Sequence, residues 1–381
     1  MTRFRQQDRV TIWLIRAILV VGSMLLTAIT PLVPHFMDRF GLSATTASVF
    51  VSLHPIGGII ASFPAGMAVS RWGGRAVLLV ALPVLACACF GIGFASDPAT
   101  LFAMRFLHGI AGTLEWTAAF AWLAEISPQG SRGKEIGVAS AASAAGSMLG
   151  PIIGGVADAT SVGVAFSALG MLFIVLAAAA ASQRPAPRAH APSPREMLGA
   201  LRTRTIAMPS IIIVSAGVAF GVVSVVGPLR FAELGASGLM IGLTFVGGAL
   251  AEMLLSRWVG SVAERYGFRR PVRIGLFLAI LLVCLFAAPE AAWIIAALVI
   301  SMTMAITLFL VPGFVLFSVR GEEAGFGQGI AFALTNVVWA VGNLSGALIG
   351  GLSSAGVALP GLVVAVVLAV VLFLTRPSTS T

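Results

Sequence analysis

The sequence predicts an all-α integral membrane protein with twelve transmembrane helices in two six-helix parallel pseudo-repeats. Three observations predict it. Of 381 residues, 59% are hydrophobic and only 10% are charged, and the mean hydropathy is +1.04. An ordinary soluble domain carries about 25% charged residues. Apolar runs long enough to cross about 30 Å of hydrocarbon recur from end to end. The second half of the chain also matches the first at a nearly constant offset. In lipid the backbone must satisfy its own hydrogen bonds, which leaves helices or a closed barrel. The runs are continuous rather than alternating in period two, so the barrel is excluded.

Spans are expected at 12–36, 45–69, 76–96, 99–126, 135–158 and 162–182 in the first half. In the second half they are expected at 206–231, 238–263, 271–288, 291–318, 327–352 and 356–375. The first run is too long for a signal-peptide core and shows no small-residue cleavage site, so it is expected to be retained. The runs 99–126 and 291–318 are long for a bilayer and imply tilt. One extended polar stretch, 183–205, is rich in Pro and Arg and cannot build a core. It reads as a cytoplasmic linker between bundles 1–182 and 206–381, with a short surface helix at Glu196–Leu201.

A net charge of +9 raises the question of nucleic acid, but the basic residues answer it by position. Twelve spans put both termini on one side. All 23 Lys and Arg except Arg39, Arg105 and Arg230 fall on that side. Such a bias marks the cytoplasmic face. The charge therefore encodes topology, with acidic lipid headgroups as its partner and no nucleic-acid role expected. Cys87, Cys89 and Cys284 lie inside apolar spans, match no metal or redox spacing, and read as small buried hydrophobes.

The self-match is specific. One ungapped shift places Pro34 on Pro228, Gly41 on Gly235, Ser43 on Ser237, Gly66 on Gly260, Arg71 on Arg265, Gly73 on Gly267 and Arg75 on Arg269. A shift longer by two places Gly146, Gly150, Gly154 and Gly155 on Gly342, Gly346, Gly350 and Gly351. Fixed-period similarity marks an internal repeat. Six spans return the chain to its starting side, so the repeats are parallel, about an axis along the membrane normal. That arrangement belongs to transporters that rock two halves around a central site.

The short turns after the second and eighth spans read Gly66–Arg75, GMAVSRWGGR, and Gly260–Arg270, GSVAERYGFRR. Both resemble motif A of the major facilitator superfamily. The first copy departs from it at Ser70, where the family usually has Asp, and at Gly74. The second keeps an acid, Glu264. The resemblance implies a gating role for Gly66, Ser70, Arg71, Gly73, Arg75, Gly260, Glu264, Arg265, Gly267 and Arg269. Ser70 implies a weaker cytoplasmic lock. The fifth span carries GSMLGPIIGG, in which Gly146, Gly150 and Gly154 line one face for close helix packing. Pro151 removes a hydrogen bond and favours a bend. With Gly155, the whole string resembles motif C, which the superfamily associates with antiporters. Pro31 and Pro34 are similar to the paired prolines of twelve-helix drug:proton antiporters. Arg105, Gly109 and Gly112 resemble motif B, whose arginine is implicated in proton transfer or substrate handling.

Charges within the membrane are costly and therefore informative. Arg105, His108, Gly112, Glu115 and Ala119 share an arc of about 80° on the fourth span, which would face the bundle. A mid-membrane carboxyl that can lose and regain a proton is what proton coupling requires, so Glu115 reads either as the coupling or cation-binding acid or as a structural hydrogen-bonding acid. Glu252 shares a stripe with Gly248, Ser256 and Gly260 that reads as a packing seam, with gating or coupling as the alternative. His108 and His54 are relay candidates or packing residues. Asn336, Asn343, Thr303 and Thr307 are polar groups that could meet a substrate, and Trp116, Phe220 and Trp339 could line an apolar cavity or face lipid.

The reading is a proton-coupled secondary active exporter of small organic molecules or drugs, working by alternating access. An importer or a dedicated metabolite or anion carrier on the same fold is one alternative. A non-transporting membrane sensor or assembly factor is another. No phosphate-binding Gly-rich loop with Lys, metal-ligand cluster or nucleophile–base pairing stands in the sequence, so neither an enzyme nor a cofactor is expected. Expected partners are a small-molecule substrate, protons and lipid, with the protein a monomer. The Ala-, Gly- and Arg-rich composition suits a bacterial gene of high GC content, and hence a multi-pass protein of the bacterial inner (plasma) membrane with both termini cytoplasmic.

Overall fold

The computed structural model describes residues 6–127, 132–184, 204–323, 328–355 and 358–375. The first half holds α1 (Gln6–Ala28), α2 (Val33–Phe40), α3 (Ala44–Trp72), α4 (Gly74–Gly93), α5 (Pro98–Ile126), α6 (Arg132–Ala159) and α7 (Val162–Ala181). The second half holds α8 (Ala207–Glu233), α9 (Gly238–Tyr266), α10 (Arg269–Leu285), α11 (Ala292–Glu323), α12 (Gln328–Gly350) and α13 (Ala358–Leu374). Counting α1 and α2 as one interrupted span, every predicted span has its helix. Among the described residues, eight stretches are long and apolar enough to cross a membrane by length and composition, and Ala358–Leu374 is a shorter apolar helix. The expected helix at Glu196–Leu201 lies outside the described residues.

The first span differs from its expected form. It breaks at a 3-10 turn, Thr30–Leu32, and resumes as α2. Pro31 has no N–H to give the preceding turn and its ring crowds the carbonyl four residues back, while Pro34 sits in the first turn of α2, where a missing donor costs nothing. The cysteine expectation also needs correction: Cys89 is buried, but Cys87 and Cys284 are exposed on the outer faces of α4 and α10.

Contacts divide the chain into two units, Met1–Leu32 with Ile56–Glu196, and Val33–Pro55 with Met197–Thr381. In the second unit Thr45 hydrogen-bonds to Ser354 at 2.8 Å and donates to the Gly351 carbonyl at 3.3 Å. Within each unit, the direction of paired helices follows span parity. Ser23 meets Ser143 and Thr27 meets Ser147, so α1 and α6, the first and fifth spans, run parallel. Gly74 meets Ala118 and Gly91 meets Met104, so the consecutive spans α4 and α5 run antiparallel.

The repeat is visible in the backbone. Among the described residues, four glycines have positive φ: Gly41 at 63°, Gly73 at 84°, Gly235 at 70° and Gly267 at 82°. They form two pairs at the shift found in the sequence. A methyl group at any of them would touch nothing, so conformation rather than space demands glycine. Just beyond, Ser43 and Ser237 accept hydrogen bonds from the backbones of Thr46 and Met240, capping α3 and α9 alike.

Glycine also sets the closest helix packing. A methyl on Gly146, Gly150 or Gly154 would overlap the backbone of α1 at Val20, Met24 and Ala28. Gly342 and Gly346 stand in the same relation to Val214 and Val218 of α8. Large apolar side chains such as Leu254 (72% exposed), Val164 (71%) and Val366 (64%) point outward, as lipid-facing residues do.

Gly150→Val and Gly346→Val are each expected to abolish recovery of monodisperse protein by size-exclusion chromatography. Gly66→Val, at a position with open space, should leave it unchanged. The Asp97 carboxylate caps α5, accepting from the Thr100 amide at 2.9 Å and its hydroxyl at 2.7 Å. These bonds hold its pKa below the usual carboxylate range. The stabilisation is therefore complete above the ordinary Asp value of about 3.9 and disappears as pH falls through the lowered one. The gap in melting temperature between the parent and Asp97→Ala should be constant at neutral pH and close only in strong acid.

Candidate functional site

The site begins on α5, where residues spaced by one or two turns share a face and packing turns that face inward. Arg105, His108 and Glu115 are 5%, 1% and 3% exposed, and Ala119 beside them is fully buried. The Arg105 guanidinium donates from Nη1 to His108 Nδ1 at 3.0 Å. Arginine cannot accept, so His108 is held as the tautomer with its proton on Nε2. Glu115 lies ten residues along, about 15 Å of helix rise from Arg105. Its Oε1 accepts no hydrogen bond from any described residue. Its carboxyl rests against α1 at Gly22, where an added methyl would lie 2.6 Å from Oε2 and 2.9 Å from Cδ.

The seam between α1 and α6 carries polar contacts on either side of Gly22 in the sequence of α1. Arg16 donates to Glu135 at 2.5 Å, both side chains being largely buried. The Ser23 and Ser143 hydroxyls share a bond of 2.5 Å, and Thr27 donates to the Ser147 carbonyl at 2.9 Å. Gly146, Gly150 and Gly154 of motif C lie in this seam, and Gly155 and Pro151 are buried within the continuous helix α6. Sequence reasoning missed Gly22 and this ladder. Its one signal was the Gly22-Ser23 pair interrupting an apolar run.

The second unit holds the remaining candidates. Phe220 and Trp339 come together, with ring centroids 5.6 Å apart. Asn343 lies against Gly217 and Gly221, whereas Asn336 is exposed. Thr303 and Thr307 donate to carbonyls one turn back, at 3.0 and 2.8 Å, leaving lone pairs but no proton to offer. Gly248 packs on Thr303, and Glu252 is partly buried one turn along the same stripe, its carbonyl accepting from Ser256. In the first unit Trp116 pairs instead with Phe120, centroids 4.9 Å apart.

Motif A splits by residue. Gly73 and Gly267 make the reversal through positive φ. Arg71 is exposed over the Trp72 ring, Arg269 is exposed, and a methyl at Gly66 would find open space. Arg75 donates from Nε to the Ala180 carbonyl at 3.0 Å and from Nη2 to the Ala181 carbonyl at 2.6 Å. It thereby caps the C-terminus of α7, where a cation also meets the negative end of the helix dipole. The side chains of Ser70, Glu264 and Arg265, and the surroundings of Gly260, lie outside the described residues.

The apolar helices, repeated turns and buried intramembrane charge define a multi-pass membrane transporter. The sequence model of the Major Facilitator Superfamily matches residues 15–231, more than half of the chain, and that of an MFS_1-like family matches 163–357. The chain belongs to the Major Facilitator Superfamily. Among curated proteins of Bacillus subtilis (strain 168), it is 27% identical to Multidrug resistance protein 1 over 150 residues, 39% of each chain. It is 29% identical to Multidrug resistance protein 2 over 127 residues, 33% of this chain and 32% of that one. These matches span only about a third of each relative's length. An uncharacterised MFS-type transporter, YceJ, is 26% identical over 70% of both chains. Among solved structures, a bacterial homologue of the human lysosomal transporter Spinster, inward-facing and occupied, superposes with a TM-score of 0.82 at 16% identity, covering 99% of this chain and 100% of that one. The nucleoside transporter NupG gives 0.76 at 13% identity, covering 96% and 98%. At such identity the likeness establishes the fold.

Arg75→Gln removes both bonds to the end of α7. It is expected to cost about 1 kcal/mol, read as a lower melting temperature than the parent's.

Proposed function

We propose that the protein is a proton-coupled antiporter that exports small organic molecules by alternating access. The observation that carries this reading is Glu115, a carboxyl buried in the middle of a span with no hydrogen-bond donor to its Oε1 among the described residues. A structural acid would be expected to hold its partners; an acid that cycles a proton must be able to stand without them. The curated relatives named for multidrug resistance, and the motif C seam, support export as the direction.

In this reading Glu115 takes a proton from outside and releases it inside as the two halves, 1–182 and 206–381, rock against each other. Arg105 and His108 form a fixed polar pair on the same face and handle the proton or substrate. Glu252 gates or couples in the second half. Phe220 and Trp339 present an aromatic surface to an apolar substrate, with Thr303, Thr307, Asn336 and Asn343 as acceptors. One proton crossing about 100 mV contributes about 2.3 kcal/mol, which sustains a substrate gradient of about fiftyfold. No second ion is needed. The protein works as a monomer in a bacterial inner membrane, with both termini and its arginine-rich loops on the cytoplasmic, acidic-headgroup side. A dedicated anion carrier is the second reading, and Arg105 favours it, since a buried guanidinium is a fitting partner for a carboxylate or phosphate.

In proteoliposomes under an imposed proton gradient, a compound that is exported should release protons on addition. Glu115→Gln should abolish that release and Arg105→Ala should reduce it by about tenfold or more. Release that survives in Glu115→Gln would move the coupling role to another group, and counterflow restricted to anions would favour the carrier.

A further inference from the structure

Glu115 is fixed by shape rather than by bonds. An added methyl at Gly22 would lie 2.6 Å from Oε2, 2.9 Å from Cδ and 3.1 Å from Oε1. The missing side chain at Gly22 is thus the space that the whole carboxyl group fills. Along α1 and α5 the nearest charged or titratable groups are six or more residues away. On α1 the nearest is Arg16, six residues from Gly22 and paired with Glu135 of α6. On α5 they are His108, Arg105 and Glu125, the nearest seven residues from Glu115. The others are His54 on α3, one turn from the Gly58 that packs on Thr113 of α5, and Arg71 at the end of α3; Arg132, Lys134 and Asp158 on α6; and Cys87 and Cys89 in α4 with Arg75 at its start; α7 carries none.

We propose that Gly22 is a positioning residue for Glu115: the bare backbone of α1 forms the notch that receives the carboxyl. The acid then exchanges its proton, or meets a substrate, only when α1 and α5 separate at this point. In the present conformation the notch seats the carboxyl, with Oε1 buried and without a hydrogen bond from any described residue. Seated there the acid can hold a proton, and a cationic substrate reaches it once the helices part. This rests on Glu115 being the coupling acid, but the notch itself can be tested apart from transport.

Three full-length variants test it: Gly22→Ala, Glu115→Asp, and the two together. The double change adds one carbon on α1 and removes one from α5, so it restores the fit. Exposure of residue 115 is read by mass spectrometry after treatment with a water-soluble carbodiimide and glycine ethyl ester. Coupling is read as compound-triggered proton release. In Gly22→Ala, labelling should rise several-fold and proton release should fall by about tenfold or more, as a displaced reacting group requires. In the double variant both should return towards the parent. A general effect of alanine on α1 would not be reversed by shortening residue 115. Labelling unchanged in Gly22→Ala, or equally high in the double variant, would overturn the proposal. Should Gly22→Ala fail to fold, recovery of folding in the double variant supports the notch and its absence overturns it. If no compound releases protons from the parent, the exporter reading fails while the labelling pattern still decides the notch.

Discussion

Helices surrounded by hydrocarbon gain little from burying leucine against leucine, since lipid tails are as apolar as the side chains. What holds such a bundle is close backbone approach and the hydrogen bonds made across it. This constraint governs the seam between α1 and α6. Gly146, Gly150 and Gly154 bring the two backbones into contact, and that proximity lets Ser23 reach Ser143 and Thr27 reach the Ser147 carbonyl. A methyl at any of the three glycines would push the helices apart and break the polar ladder with them.

The same constraint explains why the repeat survives most clearly in glycine. Apolar positions facing lipid exchange freely among Val, Leu, Ile and Phe, because each satisfies the bilayer. A left-handed turn or a backbone contact has no such substitute. Gly41 and Gly73 therefore reappear as Gly235 and Gly267, and the α6 seam reappears where Gly342 and Gly346 meet Val214 and Val218. The halves diverge where chemistry enters. The first unit carries Arg105, His108 and Glu115 buried on one helix, whereas the second presents hydroxyls and the Phe220–Trp339 pair. A common scaffold thus carries two unlike surfaces.

Motif A shows how one string can hold several jobs. Gly73 turns the chain, Arg71 lies exposed over an indole, and Arg75 satisfies the last carbonyls of α7. Part of what resembles a gating sequence is therefore helix capping inside one unit. Its arginines differ because their positions around the turn differ.

Length and hydropathy alone determined that this chain is a membrane-spanning helical protein, since a run of apolar residues in lipid has no other way to bond its backbone. The repeat, the turn glycines and the inward face of α5 were also legible, because positive φ and helical periodicity leave local marks. The break in the first span was half legible: Pro31 and Pro34 were visible, but where the helix yields depends on its neighbours. Tertiary structure alone decided that Glu115 meets Gly22, that Arg75 caps α7, and that Phe220 finds Trp339. Each of these joins residues on different helices. A glycine's missing side chain, or a carbonyl's unused lone pair, becomes a site only when another helix is packed against it.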